Sequence, residues 1–166
     1  MIKILGNLIL TMFNIGRLGN FPGTIASAVT SFIYIIFFYF KVHYLTLFLI
    51  FLLLLLSSVY LINVLKNEFN EVDSKEIVID EYLGQSIPIL FFYVFLFEAS
   101  SSINFFMVIV LISFVGFRFF DILKPYPINY IDSNYKNGFG VVFDDIVAGI
   151  FTTIVLYIFI IIYDKF

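Results

Sequence analysis

Five acidic residues in this chain stand where a carboxylate is expensive. Asp80 and Glu81 sit in VIDEYLG, Asp121 in FRFFDILKPYP, and Asp144 and Asp145 in VFDDIVAG, each beside a long apolar run. An ionised carboxylate in hydrocarbon costs roughly 2.5–3.5 kcal/mol on insertion scales. Brought together, such groups also repel one another. A hard divalent cation resolves both problems. Mg2+ takes oxygen ligands, keeps several of its waters, and is typically held by one or two carboxylates together with substrate phosphate. The two acid pairs follow one pattern, with Gly84 shortly after Asp80 and Glu81, and Gly149 shortly after Asp144 and Asp145. Glycine about one turn below an acid leaves room for a second helix to approach. Acids at a helix N-terminus also complement the helix dipole, at ~0.3–1 kcal/mol each. That reading serves for one pair but leaves three groups at one membrane level unexplained.

Two cations accompany the acids. Arg118 precedes Asp121 by three residues, so the two share a helical face, and Lys124 returns to that face if the helix reaches it. Pro125 disfavours helical geometry at Lys124 and so predicts the helix end there. Both cations could hold phosphate oxygens, arginine as a fork and lysine as a point charge; snorkelling to lipid headgroups is the competing role. In NFPGTIAS, Pro22 and Gly23 suit the centre of a type II turn, and Thr24 then caps the following helix. A glycine-bearing turn feeding a helix N-terminus is also an anion-binding arrangement. NGFG, residues 137–140, reads as a flexible turn before Asp144. His43 lies in the opposite hairpin and reads as a solvated loop residue. Ser57, Ser58 and Asn63 read as hydrogen-bonding groups between helices.

The elements that must position these residues follow from composition. The chain has 166 residues, 62% hydrophobic and 13% charged, with mean hydropathy +1.08. Soluble domains average nearer ~45–50% apolar and ~25% charged, so the excess apolar surface must meet lipid. The length suits one domain over residues 1–166. With no cysteine and a single histidine, disulfides, thiolate sites, cysteine nucleophiles and multi-histidine metal sites are excluded. The net charge of −3, with no basic cluster, offers nothing to nucleic acid. The N-terminal stretch lacks a small-x-small cleavage site and reads as mature protein.

A bilayer core needs ~20 apolar residues in a helix. Five stretches approach that: 25–40, 44–65, 82–97, 103–120 and 146–163, the third interrupted by Pro88. The expected fold is an all-α, multi-pass membrane bundle of four to five spanning helices. Residues 2–15 add an expected interfacial helix, because Lys3, Asn7, Thr11 and Asn14 recur at helical spacing. Residues 41–43 and 98–102 make tight hairpins on one side, and all long connections fall on the other. The long-connection side carries Lys3, Arg17, Lys66, Lys75, Arg118, Lys124 and Lys136, against Lys41 and Lys165 opposite. Positive charge marks the cytoplasmic face. Ten of the twelve acids lie on that same side, all but Glu98 and Asp164.

PGTIAS (22–27), IVIDEYLGQ (77–85), FRFFDILKPYPI (117–128) and NGFGVVFDDIVAG (137–149) together resemble the phosphatidylglycerophosphatase A family of bacterial membrane lipid phosphatases. The resemblance covers most of the chain. It departs at Gly19 and Ala26, where the family often has proline and glycine. It implies Mg2+-dependent removal of the terminal phosphate of phosphatidylglycerophosphate, giving phosphatidylglycerol, at the cytoplasmic face of the bacterial inner membrane. It implies metal ligation from Asp80, Glu81, Asp144 and Asp145, and phosphate contacts from Arg118, Lys124 and Thr24. Asp80, Asp121 and Asp145 are its catalytic candidates, with Asp121 a base, a ligand or a partner of Arg118. Metal-activated water is favoured over an aspartyl-phosphate intermediate as the attacking group. Two other classes of function share some of these features. A cation or proton transporter needs charged stepping stones across the membrane, and the acids gather at one face. A Mg2+-dependent lipid phosphotransferase needs a second substrate pocket and a longer string of spaced aspartates.

Overall fold

The computed structural model describes residues 2–66, 68–69, 74–99 and 101–163. Among these residues, seven α-helices run α1 (Ile2–Leu10), α2 (Pro22–Tyr39), α3 (Tyr44–Leu65), α4 (Ile79–Glu98), α5 (Ile103–Leu123), α6 (Ile128–Asn134) and α7 (Gly138–Tyr163), with a 3-10 turn at Ile15–Arg17. There is no strand among the described residues. Five helices, α2, α3, α4, α5 and α7, are long and apolar enough to cross a membrane. Asp164, Lys165 and Ser100 of the second hairpin lie outside the described residues.

α4 is the most buried of the five and packs against α2, α3, α5 and α7. One apolar cluster, including Leu10, Leu61, Ile62, Leu83 and Ile146, packs at the end where the long connections gather. A second, built on Tyr34, Phe38, Ile89, Tyr93, Phe106 and Val110, packs toward the hairpin end. There the Tyr93 hydroxyl donates to the carbonyls of Val42 (2.6 Å) and Phe37 (3.0 Å), tying the α2–α3 hairpin to α4. His43 caps α3, its Nδ1 accepting from Leu45 N, and is exposed as expected. Side chains such as Leu53, Leu56 and Leu111 remain exposed on the outer faces, where lipid replaces a protein partner.

Several boundaries differ from the sequence expectation, each for a stated reason. α2 begins at Pro22, not Ile25, because proline at the first helical position lacks only an N–H that would be unpaired anyway. Pro22 and Gly23 are therefore helical and do not form a type II turn. Thr24 lies inside the first turn, and the N-cap position belongs to Phe21, which makes no side-chain cap bond. Gly138 and Gly140 are likewise helical, opening α7 where a flexible turn was expected. α4 runs through Pro88 unbroken. α1 ends at Leu10, short of residue 15, because Met12, Phe13 and Asn14 take positive φ (45°, 55° and 69°). The chain turns there so that the Leu10 carbonyl accepts from Val78 N at 2.9 Å.

Pro88 explains how α4 and α7 cross so closely. It has no N–H to give the Gly84 carbonyl four residues back. A Cβ on Gly149 of α7 would run into that same Gly84 carbonyl. Backbone approach at Gly149 thus fills the place left by the missing bond, in the manner of small-residue crossings between membrane helices. A Cβ on Gly84 would in turn stand 2.6 Å from the Asp145 carbonyl. The two glycines below the acid pairs do leave room for another helix, as their spacing suggests. Asn63 adds a polar tie, its Oδ1 accepting from Gly138 N at 2.9 Å between α3 and α7. Ser57 bonds within its own helix to the Leu54 carbonyl.

Candidate active site

The acids enter the site from inside helices, not from loops ahead of them. Asp80 and Glu81 lie in the first turn of α4, and Asp144 and Asp145 in the second turn of α7. α7 has 26 residues and is about 39 Å long at 1.5 Å per residue. That exceeds the ~30 Å hydrocarbon core. The helix is therefore long enough to carry the aspartates of its second turn to the edge of the oily layer. Asp121 occupies the last turn of α5. Alternating crossings bring all three helix ends to one face.

Asp80, Glu81 and Asp145 form the centre. Each offers a carboxylate oxygen within 4.8 Å of the other two. Asp80 is 8% exposed and Asp145 4%, so water screens them poorly. Asp80 Oδ1 and Glu81 Oε2 are buried and have no hydrogen-bond partner among the described residues. Buried polar atoms are normally satisfied, and unsatisfied carboxylate oxygens facing one another ask for a cation. Asp144, equally buried, is turned to another partner: Lys124 Nζ donates to its Oδ2 at 2.8 Å.

Arg118 and Asp121 form an ion pair at 2.6 Å on α5, with both side chains largely buried. Nη1 is the atom that faces Asp121, and neither it nor Nε makes an aligned hydrogen bond among the described residues. Gly23, at the start of α2, sits directly on this pair of groups. A Cβ there would strike Glu81 Oε1 and come within 3.4 Å of Arg118 Nη1. Glycine here lets the α2 N-terminus close on the site without displacing the Glu81 carboxylate. Thr24 follows, half-buried.

Lys124 is the C-cap of α5, as Pro125 predicts, in a left-handed conformation (φ 43°). Its Nζ lies 2.8 Å from Asp144 Oδ2 and 3.2 Å from Asp132 Oδ1. Burial works against its charge, but Asp144 and Asp132 together hold its pKa above the usual lysine value. Asp132, on α6, is the site-edge residue that sequence reasoning missed. Its signal is faint: a lone acid in YPINYIDSN, with no adjoining acid or glycine. α6 as a whole was not foreseen, because seven residues give too little periodicity.

Five carboxylates, Asp80, Glu81, Asp121, Asp144 and Asp145, thus meet two cations, Arg118 and Lys124. The donor set is all oxygen, which suits a hard ion such as Mg2+. The three-carboxylate group, with its two unsatisfied oxygens, fits such an ion on charge and on ligand chemistry.

Over 48 residues, 29% of each chain, the sequence is 52% identical to phosphatidylglycerophosphatase A of Haemophilus influenzae. Over 44 residues, 26% of each chain, it is 48% identical to phosphatidylglycerophosphatase A of Escherichia coli. Over 100 residues it is 31% identical to a Bacteroides thetaiotaomicron protein provisionally named a phosphatidylinositol-3-phosphatase, covering 60% of this chain and 57% of that one. Each alignment spans less than two thirds of the relative's length. No solved structure matches the chain. The sequence profile of phosphatidylglycerophosphatase A, by contrast, matches residues 8–160, and the chain belongs to that family.

Proposed function

We propose that this protein hydrolyses the terminal phosphomonoester of phosphatidylglycerophosphate, giving phosphatidylglycerol and inorganic phosphate, at the cytoplasmic face of the inner membrane and with Mg2+. The observation that carries the reading is the buried group of Asp80, Glu81 and Asp145, two of its oxygens unsatisfied, beside the guanidinium of Arg118. Family membership and the relatives' names support the substrate. Asp80, Glu81 and Asp145 would hold the ion, which when bound would screen phosphate charge and lower the pKa of a water. Arg118 grips non-bridging phosphate oxygens, and Asp121 keeps its guanidinium in register. Lys124, steered by Asp132 and Asp144, adds positive charge at the rim. A water oxygen forms the new bond to phosphorus as the bond to the glycerol oxygen breaks. A carboxylate of the cluster takes the water's proton and passes it to the departing glycerol alkoxide, which regenerates the carboxylate.

Sidedness is supported by charge. Lys3, Arg17, Lys66, Lys75, Arg118, Lys124 and Lys136 belong to the site end, and Lys41 alone to the other end among the described residues. Transport is disfavoured, since no charged residue stands in the middle of any spanning helix.

The test is phosphate release by purified protein in detergent from phosphatidylglycerophosphate, phosphatidic acid and phosphatidylinositol 3-phosphate, with Mg2+ or chelator. The expected result is Mg2+-dependent release that is fastest from phosphatidylglycerophosphate. Faster release from phosphatidylinositol 3-phosphate would move the substrate toward the name of the Bacteroides relative. No release from any of the three would reject the phosphatase reading.

A further inference from the structure

Gln85 has no assigned role, yet its placement calls for one. It is fully buried in α4, and neither its amide nitrogen nor its amide oxygen has a hydrogen-bond partner among the described residues. A buried amide without partners is strongly penalised. The residue stands four positions after Glu81, on the same helical face and about 5.4 Å further along the axis.

Two packing registers say what surrounds it. α4 runs antiparallel to α5, with Tyr93 against Phe106 and Gly84 against Phe117. That register puts Gln85 level with residues 114–116, and within one turn of it, on the side away from the site, lies Ser113, whose hydroxyl is also fully buried and has no partner among the described residues. α4 runs parallel to α2, with Tyr93 against Phe38 and Glu81 against Gly23. That register puts Gln85 level with Ser27, whose hydroxyl donates to the Gly23 carbonyl at 2.9 Å. A polar layer therefore lies one turn beneath Gly23, Glu81 and Arg118, inside an otherwise apolar bundle. On its site side wait two more buried, unpartnered atoms, Glu81 Oε2 and Arg118 Nε.

We propose that Gln85 is a positioning residue that holds the Glu81 carboxylate in place for a divalent cation, through a buried water. The inference rests on the metal reading given above. The water donates to Glu81 Oε2 and accepts from Gln85 Nε2 and Arg118 Nε, three bonds, as buried waters typically make. The Gln85 amide oxygen accepts from Ser113 Oγ. Carboxylate ligands commonly depend on outer partners of this kind, whose removal weakens metal binding ~10–100-fold.

The experiment is Mn2+ binding, with no substrate present, followed by the spin-resonance signal of free Mn2+. Wild type, Gln85→Leu, Asp145→Asn and Ser58→Ala are compared, with a thermal melt for each. Ser58 is the control: fully buried and unpartnered on α3, outside the proposed layer. Gln85→Leu is expected to bind Mn2+ about 10–100-fold more weakly at a melting temperature no lower than wild type, and Ser58→Ala to bind normally. Should the leucine variant not fold, Gln85→Asn withdraws the amide by one methylene, and a tenfold or greater weakening is expected of it. A folded Gln85 variant that binds Mn2+ like wild type overturns this inference alone. So does a Ser58→Ala loss equal to that of Gln85→Leu. No Mn2+ binding by wild type, or equal binding by Asp145→Asn, overturns the metal reading and this inference with it.

Discussion

Arg118 shows what residue-scale reasoning can and cannot reach. Its three-residue spacing from Asp121 identified a shared face, and the two do pair, at 2.6 Å. Spacing alone left snorkelling open. The structure argues for a working role, because the side chain is largely buried and its Nε and Nη1 remain without aligned partners. A lysine would keep the charge but lose the planar fork. Arg118→Lys is therefore expected to lower kcat/KM about 10- to 100-fold, the range of a lost charge-assisted hydrogen bond, with folding unchanged by thermal melt. Full activity would remove the fork from the account. Asp144 shows the converse. Sequence pairs it with Asp145 as a ligand, and the structure adds a contact from Lys124 to its Oδ2. Adjacent residues on a helix point about 100° apart, so one of two neighbours can face the centre while the other turns to the rim.

Helix type and number were legible because apolar runs of spanning length are hard to mistake. Helix starts were less so. Hydropathy begins counting at the first oily residue, so 25, 82 and 146 were read as starts where the chain has Pro22, Ile79 and Gly138. The difference matters, since it places every acid of the central group on a rigid helix. It also makes α2 part of the site. Gly23 touches Glu81 and Arg118, a contact between residues 58 or more apart in sequence and invisible to local pattern. A Cβ at Gly23 would meet the far end of a flexible side chain, Glu81 Oε1, which can move aside. Gly23→Ala is accordingly expected to fold and insert normally while losing at least about tenfold in activity, the scale of a displaced ligand partner. A variant with wild-type turnover would show that Glu81 tolerates displacement.

At the scale of the whole molecule, the even return of the chain to one face is what lets α4, α5 and α7 pool their carboxylates. The absence of cysteine from the sequence makes sidedness open to single-cysteine labelling. Ser133→Cys on exposed α6 is expected to resist an impermeant thiol reagent in intact cells, and Lys41→Cys in the opposite hairpin to react. The reverse pattern would turn the site outward. The central claim, that residues from α4 and α7 share one ion, is tested most directly by titrating Mg2+ against phosphate release in Asp80→Asn and Asp145→Asn beside wild type. Both substitutions, 65 residues apart in sequence, should either abolish release or raise the half-saturating Mg2+ concentration by tenfold or more. Wild-type release in full chelator, or an unchanged Mg2+ requirement in either variant, would contradict the account.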